Sequence, residues 1–187
     1  MRNARRRGAW ICFVDESGVS LQPPLRRTWA PRGRTPTIIC PFNWKRASLV
    51  AATCYRPDQS ETELCFALRA GPYNDEALIG FLEELHRHLG GTEVTVLWDG
   101  LPSHRSKKMR GFIARQRRWL VVEQLPAYAP DLNPVEALWG NLKGRELAHL
   151  LAETLGEVIA TAKRGLRRIR RRPQLLFGFL GAAGLSL

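Results

Sequence analysis

The sequence lacks the long apolar runs of a membrane protein and the paired cysteines of a disulfide or zinc framework. No apolar stretch approaches the roughly 20 residues that a membrane-spanning helix requires. The four cysteines (Cys12, Cys40, Cys54 and Cys65) form no CxxC pair and have no histidine at zinc spacing. We therefore expect a cytosolic protein with reduced, mostly buried cysteines, no membrane partner and no structural zinc.

Acidic residues are also scarce relative to basic ones. Asp and Glu number 17 against 29 Lys and Arg, which gives a formal net charge of +12. The cations cluster in residues 2–7, 105–118 and 163–172, and most of them are arginines, whose planar guanidinium can donate two hydrogen bonds to phosphate. Such clusters indicate a nucleic-acid partner, with a merely solvated surface as the alternative.

No repeat or low-complexity linker divides the chain, so its 187 residues predict one medium-sized domain with a single core. We divide it into a basic N-terminal arm (1–9), a central domain (10–150), and a basic helix with an apolar tail (151–187). The third part is expected to pack on the central domain or to extend it.

Short apolar runs alternate with amphipathic stretches, which predicts an α/β fold. Runs that are apolar throughout are typical of strands buried on both faces. The predicted strands are residues 10–14, 47–54, 64–69, 94–98 and 119–123. A further hairpin strand is predicted at residues 27–30, because Pro31-Arg32-Gly33 is a turn signal.

Helices are predicted from capping residues and from apolar positions three and four residues apart. They run from Asn74 to Gly90, from 104 to 117 with Ser103 as N-cap, from Pro134 to about 150, and from 153 to 171, where Pro173 ends the last helix. The apolar tail beyond it either packs on the core or is loosely ordered.

Three carboxylates stand at the ends of predicted elements. Asp15 and Asp99 each follow a buried strand, and Glu136 lies in the first turn of a helix that Asn133 caps and Pro134 begins. If the two strands are adjacent and parallel, their carboxylates stand side by side and require a cation between them. Hard oxygen ligands suit Mg²⁺ or Mn²⁺, and a pair of such ions supports phosphodiester cleavage and transfer.

Three segments closely resemble the catalytic blocks of mariner-type DDE transposases, with the bacterial insertion-sequence branch nearest. They are FVDES (13–17), LWDGLPSHRS (97–106) and LPAYAPDLNPVEALWGNLK (125–143). The last segment contains every fixed position of the block P-x-Y-[SA]-P-x-L-N-P-[IV]-E. The resemblance covers nearly all of residues 10–150 and implies an RNase H-like fold of the retroviral integrase type, with a mixed sheet flanked by helices.

The resemblance also implies a site. Asp15, Asp99 and Glu136 would form a triad that holds Mg²⁺ or Mn²⁺, as two ions. His104 would lie near the triad, where it and the neighbouring cations contact phosphate or orient Glu136. The further residues expected near the site or on DNA are Arg105, Lys107, Lys108, Asn133 and Lys143.

Other residues near the blocks have simpler explanations. Glu16 points to the face opposite Asp15 if β geometry persists, and Asp131 is a turn-forming residue after a proline. Tyr128 and Trp139 could stack on bases, but the helical spacing of Trp139 favours a core position.

Three features depart from the family pattern. Gly100 stands where asparagine is frequent, and 36 residues separate Asp99 from Glu136, slightly more than is typical of the eukaryotic relatives. The helix-turn-helix region that selects transposon ends is not found before the catalytic blocks. We therefore expect that the chain alone cuts DNA with little sequence selection, or that it is one reading frame of a pair, a fusion partner or a decayed remnant.

The expected function is metal-dependent DNA cleavage and strand transfer at transposon ends. The expected partners are transposon-end DNA, target DNA, a second copy of the chain and an upstream helix-turn-helix frame or fusion. The expected location is the bacterial cytoplasm, in association with the nucleoid. The alternatives are another RNase H-like nuclease, which would give no strand-transfer products, and an inactive DNA-binding remnant, which would give no metal-dependent cleavage.

Overall fold

The computed structural model describes residues 2–39, 45–126 and 129–187, so Cys40 and Tyr128 lie outside the described residues. Within these ranges the strands are β1 (Trp10–Ser20), β2 (Arg46–Tyr55), β3 (Thr62–Ala70), β4 (Val94–Trp98) and β5 (Leu120–Gln124). The helices are α1 (Arg2–Arg7), α2 (Asp75–His88), α3 (Lys107–Arg115), α4 (Pro134–Arg145), α5 (Leu155–Arg170) and α6 (Pro173–Ala182). Pro102–Arg105 and Pro130–Leu132 form short 3-10 turns.

The strands form one mixed sheet in the order β3-β2-β1-β4-β5. β1, β2 and β3 form an antiparallel meander, whereas β1, β4 and β5 run parallel. The predicted α/β architecture with a mixed sheet and flanking helices is confirmed.

The sheet separates two apolar layers because successive side chains of a strand point to opposite faces. On β1, Ile11 and Phe13 face a core built with α4, α5 and α6. Cys12 and Val14 face a second core built with α2 and α3. The side chains of residues 15 and 16 therefore point to opposite faces of the sheet.

β1 is longer than predicted. The sequence places Asp15 at the end of a strand covering residues 10–14, but the strand continues to Ser20. The parallel partner β4 pairs with β1 only as far as Phe13, while β2 pairs with it through Ser20. The apolar run ends where β4 ends, because β1 loses a neighbour there and its side chains become more exposed.

The predicted hairpin strand at residues 27–30 is wrong. Residues 21–39 contain no strand, and most of them are exposed, including Trp29. Prolines without a backbone N–H occur on both sides of the proposed strand, and Gly33 takes a positive φ of 79°. These residues leave the segment irregular.

Two helix boundaries also differ from the prediction. Pro102 begins a 3-10 turn, so the α3 N-cap is Ser106 rather than Ser103, with its hydroxyl accepting from the Met109 N–H at 3.0 Å. α4 ends at Arg145 rather than near residue 150.

The C-terminal tail packs on the core. Pro173 begins α6 at its first helical position, where a missing N–H costs little, instead of only ending α5. Leu176, Phe179 and Leu180 are buried, and the Tyr55 hydroxyl donates to the Leu176 carbonyl at 2.9 Å. Among the described residues, no helix is long and apolar enough to cross a membrane.

Candidate active site

Asp15 and Asp99 stand at the same level on neighbouring strands. β1 and β4 are adjacent and parallel, as the metal hypothesis requires, and their last paired residues are Phe13 and Leu97. Asp15 and Asp99 each lie two residues further along. Parallel neighbours run about 5 Å apart, so the register brings the two carboxylates to one edge of the sheet.

Asn133 fixes the start of the helix that carries Glu136. Its side-chain oxygen accepts from the Val135 N–H at 3.2 Å, which confirms the predicted N-cap. Its side-chain amide also donates to the Val14 carbonyl at 3.5 Å. Asn133 is 5% exposed and therefore connects the first turn of α4 to the residue before Asp15. This second contact was not predicted.

All three predicted carboxylates line one open cavity of about 600 Å³. Asp15 and Asp99 are partly buried, whereas Glu136 is exposed. Arg105 also lines the cavity and is its only cation in the part of the chain that the structure describes. The Arg105 guanidinium donates to the Gly100 carbonyl. Gly100 has no side chain, and a Cβ there would lie 3.5 Å from that guanidinium.

Asp15 is held by a neutral donor. The Trp139 indole N–H donates to Asp15 Oδ2 at 2.8 Å. The pKa of Asp15 is raised to about 7, chiefly by burial; the Trp139 hydrogen bond partly offsets this rise, and the nearby charges of Glu136, Glu16 and Asp99 add to it. The ionised form of Asp15 is thus disfavoured unless a cation approaches.

Trp139 is a core residue, as its spacing predicted, yet it also contacts the site. The contact between Trp139 and Asp15 was not predicted from the sequence. Trp139 follows Glu136 by three residues, a spacing that puts two side chains on one side of a helix, and this signal could have identified it.

His104 lies near the site as predicted, but its contacts differ from those expected. The ring is stacked on Trp98, with the two planes 7° apart and the centroids 4.1 Å apart. Its Nδ1 lies 3.0 Å from both the carbonyl oxygen and Oδ1 of Asp99, and its Nε2 lies 3.0 Å from Glu16 Oε1. A buried ring with these partners holds Asp99, not Glu136 or a DNA phosphate.

The charge of His104 follows from these contacts. Burial alone would lower its pKa, but the hydrogen bond and charge of Glu16, together with Asp99, raise it above the ordinary value. Glu16 does face away from Asp15, as expected from strand geometry. Its partnership with His104, 88 residues away, carries no signal in the sequence.

The remaining predicted residues lie outside this cavity in the described part of the structure. Lys107 is exposed on α3, and the neighbouring Lys108 forms an ion pair with Glu76 of α2. The Lys143 ammonium donates to the Ser17 hydroxyl at 2.7 Å. Lys143 lines a separate cavity of about 290 Å³.

The donors fit Mg²⁺ or Mn²⁺ in kind, since they are carboxylate oxygens, and the pKa of Asp15 is raised first by burial and then by the charges of the neighbouring carboxylates. Among the described residues, no three His, Cys, Asp or Glu side chains are close enough together to hold one ion. Mg²⁺ commonly binds one or two carboxylates and keeps several waters. Asp15 and Asp99 can provide such a pair, with Glu136 facing the same space.

Residues 10–159 match a family model described as DDE superfamily endonuclease. No curated protein sequence is significantly similar to the chain.

Several solved structures share the fold. The Mos1 transposase paired-end complex with the left transposon end has a TM-score of 0.60 at 19% identity, covering 98% of this chain and 58% of that one. The Mos1 mariner paired-end complexes with Mn and with Mg have TM-scores of 0.55 and 0.57, each at 19% identity and covering 98% of this chain and 57% of theirs. The catalytic domain of Mos1 mariner transposase has a TM-score of 0.51 at 17% identity, covering 100% of this chain and 89% of that one.

At these identities the matches establish a common fold, the RNase H-like architecture expected from the sequence. The chain spans little more than half the length of the Mos1 chains in the paired-end complexes.

Proposed function

Because the chain belongs to the DDE superfamily of endonucleases, we propose that it is the catalytic domain of a transposase. It cleaves DNA at transposon ends and joins the freed 3′-hydroxyl to target DNA. The observation that carries this proposal is the single cavity lined by Asp15, Asp99 and Glu136. The similarity of fold to Mos1 transposase, solved with a transposon end, supports it.

We assign Asp15, Asp99 and Glu136 as the ligands of Mg²⁺ or Mn²⁺, with two ions in the active complex. Bound there, such ions would activate the attacking water or 3′-hydroxyl and stabilise the leaving oxygen. The Mos1 complexes with Mn and with Mg support the choice of metal. The chain itself holds the ligands: Trp139 donates to Asp15, His104 holds Asp99, and the Asn133 cap sets the start of α4.

The cations around the cavity would bind the phosphates of the substrate. Arg105 stands beside the carboxylates and would contact the phosphate that reacts. Lys107, two residues after Arg105, is exposed at the start of α3, where it can contact the DNA backbone. Exposed arginines of α5, among them Arg164 and Arg167, would bind flanking DNA.

The remaining partners follow from the same proposal. The selection of transposon ends would belong to a helix-turn-helix region, supplied by an upstream frame or a fusion. A second copy of the chain would allow two transposon ends to be joined as a pair. In a bacterial insertion sequence, such a protein would associate with the nucleoid.

The proposal is tested with supercoiled plasmid DNA and a duplex that carries a free 3′-hydroxyl end, each with Mg²⁺ or Mn²⁺. We expect metal-dependent nicking of the plasmid and insertion of the duplex into it. Asp15→Asn and Asp99→Asn should each reduce both reactions to background while salt-sensitive DNA binding persists. Asp131→Asn is the control, since Asp131 is an exposed carboxylate in the loop that precedes Glu136 and does not line the cavity.

Each outcome is informative. Nicking without insertion would favour another RNase H-like nuclease and contradict the transposase assignment. DNA binding without metal-dependent cleavage would contradict any catalytic role. Full activity in both Asp15→Asn and Asp99→Asn would overturn the assignment of the triad.

A further inference from the structure

Glu16 is a largely buried carboxylate that faces away from the cavity. Its side chain is 16% exposed, and Oε1 lies 3.0 Å from His104 Nε2. The other oxygen, Oε2, is buried and has no hydrogen-bond partner in the described part of the chain. A carboxylate in such surroundings is costly unless it is paired, so the contact with His104 accounts for its position.

The contacts of the His104 ring fix its orientation, because both ring nitrogens face oxygen acceptors. Its side chain is 1% exposed and lies flat against Trp98. Nδ1 faces two oxygens of Asp99, one of which is a backbone carbonyl that can only accept. Nδ1 therefore carries a proton and donates it to Asp99, while Nε2 is directed at Glu16.

Asp99 needs this support, because it follows the last residue of β4 and its side chain is 45% exposed. Oδ1 accepts from the Leu101 N–H at 3.1 Å and lies 3.0 Å from His104 Nδ1. Oδ2 accepts no hydrogen bond from the described residues, which leaves it available to a cation in the cavity. The orientation of the Asp99 carboxylate is thus set from its Oδ1 side.

We propose that Glu16 is a positioning residue that acts through His104 to orient Asp99 as a ligand. The inference rests on the proposed function, since it takes Asp99 to bind a metal. Groups that hold a ligand from behind commonly change metal affinity 10- to 100-fold when they are replaced. Glu16 itself touches neither the metal nor the substrate in this arrangement.

The chain contains a matched control pair. Glu63 Oε2 lies 3.2 Å from His88 Nε2, which is again a glutamate against a histidine ring. Both side chains are more exposed than those of Glu16 and His104, at 45% and 28%, and neither lines the carboxylate cavity. Replacing Glu63 therefore removes an equivalent contact without touching Asp99.

The test measures Mn²⁺ affinity by electron paramagnetic resonance, in the full chain without DNA. Glu16→Gln and His104→Asn should each weaken binding by about 10-fold or more, and the double variant should bind no more weakly than His104→Asn alone. Glu63→Gln should bind like the wild type. Thermal unfolding of each variant checks that it is folded.

A second measurement requires no substitution. Mg²⁺ should shift the ring ¹⁵N resonances of His104 in the wild-type protein and leave those of His88 unchanged. Metal binding with an unmoved His104, or equal Mn²⁺ affinity in the wild type and Glu16→Gln, would overturn this inference alone. Failure of the wild type to bind Mn²⁺ at a site that needs Asp15 would instead contradict the proposed metal centre.

Discussion

Asp15 and Glu16 are consecutive residues of β1, and their carboxylates lie on opposite faces of the sheet in contrasting surroundings. Asp15 accepts from the neutral indole of Trp139, whereas Glu16 pairs with the imidazole of His104. The imidazole can carry a positive charge and the indole cannot. On one face of the strand, His104 therefore compensates the negative charge of Glu16. On the other face, Trp139 leaves the negative charge of Asp15 uncompensated.

The difference explains which of the two carboxylates can serve as a ligand. Burial, partly offset by Trp139 and reinforced by neighbouring carboxylates, raises the pKa of Asp15 to about 7. A divalent ion can supply the positive charge that is missing beside Asp15, whereas Glu16 already has His104 as its partner. The alternation of side chains along β1 assigns these roles, because a shift of the strand by one residue would exchange the faces to which Asp15 and Glu16 point.

The largest effect on stability is expected from Asp15→Asn. Folding raises the Asp15 pKa from 3.8 to about 7, so protonation stabilises the fold at low pH, and this contribution is lost as pH rises through about 7. Asparagine carries no charge. The variant should match the wild type at pH 4 and exceed it by about 2 kcal/mol at pH 8 without divalent ions, a value reduced for the partial exposure of Asp15.

Urea unfolding at both pH values, with a chelator present, measures this difference. Adding Mn²⁺ at pH 8 should stabilise the wild type and leave Asp15→Asn unchanged. Asp131→Asn, which alters an exposed carboxylate, is the control and should show no pH-dependent gain. Equal stability of Asp15→Asn and wild type at pH 8 would mean that the charge of Asp15 is already compensated.

A smaller effect is expected from Trp139→Phe, which removes the indole donor and keeps an aromatic ring. Losing a hydrogen bond to a charged acceptor should cost about 1.5 kcal/mol at pH 8, and less at pH 4, where Asp15 is protonated. Trp119→Phe is the matched control, because the Trp119 indole donates to the neutral Gln116 amide at 2.8 Å. That variant should lose about 1 kcal/mol. A larger loss in the control would contradict the special role of the Asp15 contact.

The smallest effect on stability is expected from Glu136→Gln. Glu136 is exposed on the first turn of α4, unlike the partly buried Asp15 and Glu16. Its replacement should change the free energy of unfolding by less than about 0.5 kcal/mol, as for ordinary surface positions, while abolishing metal-dependent cleavage. Chemical denaturation and the plasmid assay measure the two effects separately. A clear loss of stability would show that Glu136 supports the fold as well as the site.

The strands that precede Asp15 and Asp99 could be predicted from the sequence because buried strands leave local patterns. The apolar runs at residues 10–14 and 94–98 predicted two strands, and the structure shows that these strands are adjacent and parallel. Asn133 and Pro134 marked the start of α4, and Asn74 marked that of α2. Caps and buried strands involve neighbouring residues, so their signals are present in short stretches of sequence.

The contacts that shape the site were missed because they join distant parts of the chain. Trp139 lies 124 residues from Asp15, and His104 lies 88 residues from Glu16. Helical spacing could place Trp139 on the same side of α4 as Glu136, but it does not encode which distant residue the indole contacts. The length of β1 was likewise underestimated, because its continuation to Ser20 depends on pairing with β2 rather than on its own polar residues.

Because α6, the last helix, packs on the core, it limits how far the protein can be shortened from its C-terminus. The family match ends at residue 159, yet the core that supports α4 also contains Leu166 and Ile169 from α5 and Leu176 from α6. A stop codon after residue 159 would preserve every catalytic motif and remove one side of the hydrophobic interior. Such a truncated gene product would retain the motifs and be expected to aggregate, so intact motifs alone are a poor guide to whether a copy of this gene encodes a working protein.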